Sequence, residues 1–183
     1  MNNLPIMPEA TTTHFAPFRY AEPVRSMILS LKYNDNGLVA KALAPYMAAI
    51  YLRCIKQADK TFIIVPVPLA KSRFRERGFN QSLLLAQALA EYLDLPVRDD
   101  VLLRTRKTVI QKHMDAATRA KNMQGAFAVP DEHVTDVQGQ NILLIDDVYT
   151  TGATTGACKD ALREAGAADV QILTLAAVTD NWD

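Results

Sequence analysis

The chain predicts an α/β domain in which a mostly parallel sheet of five or six strands carries helices on both faces. Three observations lead there. Short apolar runs rich in β-branched residues, at 61–67 (TFIIVPV), 141–145 (NILLI) and 170–178 (VQILTLAAV), suit strands buried on both sides. Apolar residues recur at helical spacing between and before these runs, as at Leu83, Leu84, Ala86, Leu89, Ala90 and Leu93. Strands that alternate with helices require right-handed crossovers, and such crossovers cover both faces of a parallel sheet.

In chain order, residues 1–14 are polar and Pro-containing and are expected to be a mobile tail, with a single domain over 15–183. Val24, Met27, Ile28 and Leu31 have i, i+3, i+4, i+7 spacing, and Pro23 suits a first helical turn. A second helical face runs from Leu38 through Leu43, Met47 and Ile50 to Ile55, with Pro45 expected to kink or split it. The strand at 61–67 is stopped by Pro66 and Pro68, a basic loop leads to Gly78, and the helix from Leu83 closes at Asp94 and Pro96. Strands are expected at 101–105 and at 126–129, the latter stopped by Pro130, with a short helix between them capped by Asp115 and closed by Gly125. Asn141–Ile145 is the central strand, with Asp146 at its carboxyl edge. A helix holding Ala157, Ala161, Leu162 and Ala165 then ends at Gly166.

Composition narrows the function classes. Twenty basic and twenty acidic residues cancel, which argues against a polyanion-coating protein of the histone kind. No run nears the roughly 18 apolar residues of a membrane span, and the start lacks a basic segment followed by an apolar one, so a cytoplasmic protein is expected. Cys54 and Cys158 form no CxxC and read as buried, reduced thiols. The charge is uneven, however. Lys71, Arg73, Arg75 and Arg77 stand against Glu76 alone, and residues 129–147 hold five acids with no Lys or Arg. Localised positive segments beside an acidic pair suit a bound anion, with a metal beside it.

That anion has a candidate cradle. After Ile142–Ile145 come Asp146 and Asp147, two spacers, and then Thr150, Thr151, Gly152, Ala153, Thr154 and Thr155. Backbone N–H groups of such a loop open onto the next helix N-terminus, Gly152 allows close approach, and the Thr hydroxyls donate to phosphate oxygens. The two carboxylates only accept, so they suit ribose hydroxyls or a hydrated Mg²⁺ next to the phosphate. A bare turn with a helix cap is the plainer reading of the Thr/Gly cluster alone. A receiver-type phosphoacceptor pocket would need further acids after an early strand, and both GxGxxG and GxxxxGK[ST] are absent.

The whole string ILLIDDVYTTGATTG, 142–156, resembles the phosphoribosyl pyrophosphate (PRPP) signature of type I phosphoribosyltransferases. LKY at 31–33, VPVP at 65–68, RERGFNQS at 75–82, Gln111, Arg119, Asn122 and GAF at 125–127 narrow the likeness to the competence-associated ComF family, also called GntX-like, over residues 15–179. Many members begin with a four-cysteine zinc module, which nothing before Cys54 can supply. The resemblance implies a ribose 5-phosphate site at Thr150, Thr151, Gly152, Ala153 and Thr154. It implies catalytic roles for Asp146, Asp147 and Arg104, with Asp146 and Asp147 on the ribose hydroxyls and an indirectly held Mg²⁺ as cofactor. Pyrophosphate would lie over 69–78, met by Lys71, Arg73, Arg75 and Arg77, and the segment from Arg104 to His113 would fill the slot of a mobile catalytic loop.

Three functions follow as expectations. The first is Mg²⁺-dependent transfer of phosphoribosyl to or from a nitrogenous base. The second is binding of PRPP or a nucleotide without turnover. The third is handling of single-stranded DNA beside the DNA-uptake machinery, with a homodimer as a further candidate partner. Phe74 and Phe79 alternate with the arginines and suit either base stacking or capping of the core. His113 is a weak candidate proton donor, and Trp182 has no assignable role.

Overall fold

The computed structural model describes residues 14–33, 37–105 and 125–178. Its main sheet is wholly parallel. The long strands β6 (Asn141–Tyr149) and β7 (Asp169–Ala177) lie side by side, with β3 (Phe62–Pro66) on the far side of β6. Two short strands, β1 (His14–Phe15) and β2 (Phe18–Arg19), pair in succession along the other edge of β7. Beyond β3 a bridge joins Ile64 to Val97, through Ile64 N–H to Pro96 O and Arg98 N–H to Ile64 O, both 2.8 Å. The predicted central strand is therefore flanked on both sides, with Phe62 against Asn141 and Pro66 against Ile145.

Alternation along β6 divides the interior in two. Leu143 and Ile145 join Phe62, Ile64, Leu173 and Leu175 under α1 (Val24–Tyr33), α2 (Gly37–Ile50) and α4 (Gln81–Leu93). Ile142 and Leu144 join Val65, Val170 and Ile172 under α6 (Ala153–Glu164), whose Cys158 and Leu162 point inward. Helices thus cover both faces, as the unalternated strand sequences require. The remaining α-helices among the described residues are short: α3 (Lys71–Arg77) precedes α4, and α5 (Val134–Val137) precedes β6.

Three expectations change. The segments at 101–105 and 126–129 do not join the parallel sheet. Their cores, β4 (Leu103–Arg104) and β5 (Phe127–Ala128), pair with each other as an antiparallel ribbon. The place beside β3 is already taken by Pro96–Arg98, and the ribbon instead adds Leu102 and Phe127 to the α6-side core. Second, Pro45 does not split α2, which continues as a π-helical turn over Tyr51–Ile55. Pro45 faces outward, where only one backbone bond is lost. Residues Gly37–Ile55, with mean hydropathy 1.4, are long and apolar enough to cross a membrane by length and composition. Much of that hydropathy is explained by Leu43, Ala44, Met47, Ile50 and Ile55, which are buried in the core. Third, His14 lies in β1, although the boundary drawn from sequence left it in the tail. Cys54 is half-buried and Cys158 buried, both as free thiols, and burial pushes the Cys158 thiol well up.

His14 is fixed by more than backbone pairing. Its Nε2 lies 3.0 Å from Thr174 Oγ1, whose single proton goes to Ala176 O at 3.1 Å, so Nε2–H is the donor to Thr174. The ring stacks on Tyr149, with centroids 3.7 Å apart and planes 19° off parallel. Burial pushes its pKa from 6.5 down to about 4. A lowered base takes up its proton in the unfolded chain first, so its contribution is intact above pH 6.5 and is lost as pH falls toward about 4. Urea midpoints should fall through that window with an excess slope of up to about one proton. His14→Phe, which keeps a ring in the stack, should remove that excess; an unchanged slope would refute the assignment.

Candidate functional site

The site is built where β6 outruns β3. Asp146 pairs with Thr174 in β7, and the ladder continues to Tyr149 against Ala177, so the acid pair lies within the strand and not after it. On the other side β3 has ended at Pro66, and Val67 N–H still bonds to Ile145 O at 2.9 Å before the chain turns away. Beside Asp146 and Asp147 the sheet therefore opens on one side, at its carboxyl edge, where ligands of parallel sheets bind.

Both carboxylates are buried, Asp146 at 9% and Asp147 at 5% exposure, and each is held by a different helix. Ser82, in the first turn of α4, donates its hydroxyl to Asp146 Oδ1 at 2.9 Å, and Asp147 N–H donates to the same oxygen at 2.9 Å. Lys32, near the end of α1, sets its Nζ 2.7 Å from Asp147 Oδ2. Ser82 is placed by Asn80, which caps α4 by accepting from Ser82 N–H and ties the cap to the chain just past β3 by donating to Val67 O at 3.0 Å. Burial first, and the charge of Asp147 second, raise the pKa of Asp146 far above the usual carboxylate range. Arg104, on β4, packs its guanidinium 5.3 Å from the Phe127 ring centroid. Burial lowers its pKa, while Cys158 and Asp146 act in the opposite sense.

The Thr/Gly segment is shorter as a loop than its sequence suggests. Thr150, Thr151 and Gly152 make the turn, while Ala153 and Thr154 already form the first turn of α6. Gly152 is the helix N-cap at φ +75°, a left-handed conformation in which a side chain is strained, and no side chain caps this end. Thr155 turns its hydroxyl back to Gly152 O at 3.2 Å, leaving first-turn N–H groups facing outward as an α-helix does. A Cβ there would meet the end of the Tyr149 side chain, its hydroxyl first and then Cζ at 2.7 Å, so Tyr149 stands on the side of Gly152 that a Cβ would take.

The basic run folds as a helix, and this separates its cations. In α3, residues two apart are turned about 200° from each other, so Lys71 and Arg75 share one face and Arg73 and Arg77 the other. Lys71 and Arg75 line a cleft of about 420 Å³ with Leu69, Phe74, Leu83 and Leu102. Arg77 turns toward α1, 5.4 Å from the Tyr33 ring centroid, and donates to Gln81 Oε1 at 3.0 Å. Arg73 approaches Glu76 at 4.0 Å on the exposed surface. The structure thus brings together two of the four expected pyrophosphate ligands. Gln111, His113, Asp115, Arg119, Asn122 and Trp182 lie outside the described residues.

Lys32, Tyr33, Asn80 and Ser82 were legible only as parts of LKY and RERGFNQS. Their task, holding the acid pair and the start of α4, is a tertiary fact. Two outcomes follow. A raised acid is stabilising below its unfolded pKa and loses that contribution as pH rises through the folded value. Asp146→Asn, which still accepts from Ser82, should therefore stabilise the ligand-free protein increasingly from pH 5 to pH 8; a constant difference in melting temperature would contradict this. Lys32→Met leaves a buried carboxylate without its cation and should cost about 1–3 kcal/mol in urea titrations at pH 7.

Comparison with known proteins agrees with this geometry. A family model described as a phosphoribosyl transferase domain matches residues 80–183. DNA utilization protein YhgH of Escherichia coli (strain K12) is 34% identical over 158 residues, covering 85% of this chain and 68% of that protein. Competence protein F of Haemophilus influenzae is 31% identical over 159 residues, covering 86% and 69%. Among solved structures, the glutamine PRPP amidotransferase from B. subtilis complexed with ADP and GMP aligns at a TM-score of 0.50 and 20% identity. That match covers 80% of this chain and 30% of the amidotransferase, and it is a likeness of fold. The sheet, the acid pair running into an uncapped helix and these matches together show that the chain belongs to the phosphoribosyl transferase domain family, among its competence-associated ComF members.

Proposed function

We propose that the protein binds PRPP or ribose 5-phosphate with Mg²⁺ at the carboxyl end of β6 and transfers phosphoribosyl to or from a nitrogenous base. The observation that carries this reading is the placement of two buried carboxylates directly before a turn and an uncapped twelve-residue helix. Acceptors and N–H donors then lie at opposite ends of one short span, as a sugar bearing both hydroxyls and a phosphate requires.

In this reading the Thr150–Thr154 segment receives the 5-phosphate, and Asp146 and Asp147 accept from the ribose hydroxyls. Lys71 and Arg75 meet pyrophosphate from one side of α3. Arg104, on the ribbon and within electrostatic reach of Asp146, offsets charge at the reacting end. The C1–O bond to pyrophosphate breaks as C1–N forms, and the side chains position the groups without a covalent intermediate. Among the described residues no group of three or more His, Cys, Asp or Glu is placed to hold a metal. The donor set suits Mg²⁺ held by one or two carboxylates with substrate oxygens and water, where the ion would supply positive charge to the departing pyrophosphate.

Handling of single-stranded DNA is the second reading. It is favoured by the names of the relatives, a DNA utilization protein and a competence protein, and by the exposed Lys71, Phe74 and Arg75 on one side of α3. Binding to an oligonucleotide that weakens steeply with salt and is lost in Lys71→Ala/Arg75→Ala would support it.

Calorimetry with PRPP, ribose 5-phosphate and inorganic phosphate, each with Mg²⁺, tests the first reading. In the Asp146→Asn/Asp147→Asn variant, hydrogen bonds to charged acceptors worth about 1.5–3 kcal/mol each are weakened. Affinity for both ribose ligands should fall at least about tenfold while phosphate binding holds level. Equal behaviour of all three ligands would sink the phosphoribosyl reading.

A further inference from the structure

We propose that Tyr149 is a positioning residue: its side chain, stacked on His14 of the edge strand β1 and standing on the side of Gly152 where a Cβ would point, holds the turn before α6 in the one conformation that aims the helix's first N–H groups outward. The turn has little else to hold it. Thr150 and Thr151 are exposed, and no side chain caps α6. The bonds that close it are Gly156 N–H to Gly152 O at 2.7 Å and the Thr155 hydroxyl to the same carbonyl at 3.2 Å. Both converge on Gly152, the residue type that takes negative and positive φ with equal ease. Without an added constraint its φ of +75° would be one choice among several.

Tyr149 supplies that constraint. Its side chain crowds the point where a Cβ at residue 152 would stand, with the hydroxyl nearest and Cζ 2.7 Å and Cε2 3.2 Å from that point. It belongs to neither apolar core, so hydrophobic burial does not account for where it sits. The ring is itself held. His14 stacks on it at 3.7 Å, Thr174 accepts the His14 proton, and the register of β1 on β7 sets His14 opposite Ile172. The Tyr149 carbonyl accepts from Val178 N–H at 2.8 Å, which fixes the backbone from which the ring projects. The N-terminal edge strand and the turn are thus joined through one aromatic ring. In the sequence Tyr149 reads only as one of two spacers between the acids and the Thr/Gly loop.

The inference deepens the phosphoribosyl reading, since the turn so held is the proposed phosphate loop, but its test does not depend on that reading. Amide hydrogen exchange of the full chain without ligand should show segment 150–156 exchanging at least about tenfold faster in Tyr149→Ala. His14→Ala should have a smaller effect in the same direction, Tyr149→Phe should stay within about twofold of the parent, and segment 142–145 in β6 should be unchanged in all three. Loop exchange unaffected by Tyr149→Ala, or a rise shared equally with 142–145, would overturn the proposal, the second because it marks general destabilisation. Ribose 5-phosphate titrations add a separate axis. Where the parent binds it, Tyr149→Ala should lose at least about fivefold affinity and Tyr149→Phe should restore it, and equal affinity in Tyr149→Ala would count against the proposal. A parent that does not bind ribose 5-phosphate removes the phosphoribosyl reading, and the exchange comparison still decides the role of Tyr149.

Discussion

Two adjacent carboxylates buried at the end of the central strand are the constraint around which this molecule is arranged. Taking an ionised carboxylate out of water costs several kcal/mol unless it is paired or hydrogen-bonded. Here α1 delivers Lys32 to Asp147, and α4 delivers Ser82 to Asp146. Neither helix can shift along the sheet without exposing or orphaning an acid, so the requirement fixes the ends of α1 and α4 relative to β6. The apolar contacts of the same face, Ile28 and Leu31 with Leu85 and Leu89 over Leu143 and Ile145, supply the bulk stabilisation. They do not by themselves set where along the strand the helices stop.

The same carboxyl edge separates groups with opposite demands. The acids are held on a strand by ladder bonds to β7, so their positions are as rigid as the sheet. The donors a few residues later stand at the start of a helix, where backbone N–H groups are left over by geometry and need no side chain. Between them lie only Val148, Tyr149 and a three-residue turn, so the distance between acceptors and donors is short and nearly invariant. Under the proposed function such spacing would count for more than a reactive side chain, since the reaction would be carried chiefly by positioning.

Helical folding of the basic run has a comparable effect on electrostatics. Four alternating cations in an extended loop would concentrate charge along one edge. On α3 they divide, two toward the cleft with Phe74 and two toward α1 or solvent, with Arg77 committed to Tyr33 and Gln81. Arg77 thereby links the two short motifs that also hold the acid pair, since Tyr33 follows Lys32 and Gln81 precedes Ser82. A segment that reads as a ligand cluster is in part an internal fastening.

The sequence alone determined the class of fold, the central strand and the position of the acid pair, because each depends on local patterning. Runs such as NILLI suit strands covered on both sides, and acids followed by a Thr/Gly turn and a helical period mark the carboxyl edge of such a sheet. It could not determine which side chains converge there. Lys32 and Ser82 are 115 and 64 residues from their partners and carry no periodic signal of their own. Nor could it show that 101–105 and 126–129 pair with each other, since strand pairing is a choice among partners made by the whole sheet. His14 looked like part of a polar tail because two-residue strands leave no pattern, and only the free edge of β7 makes it a strand. Local chemistry writes elements and motifs into the chain; which of them touch is decided by packing, in which buried charge, edge availability and a single glycine's handedness select one arrangement.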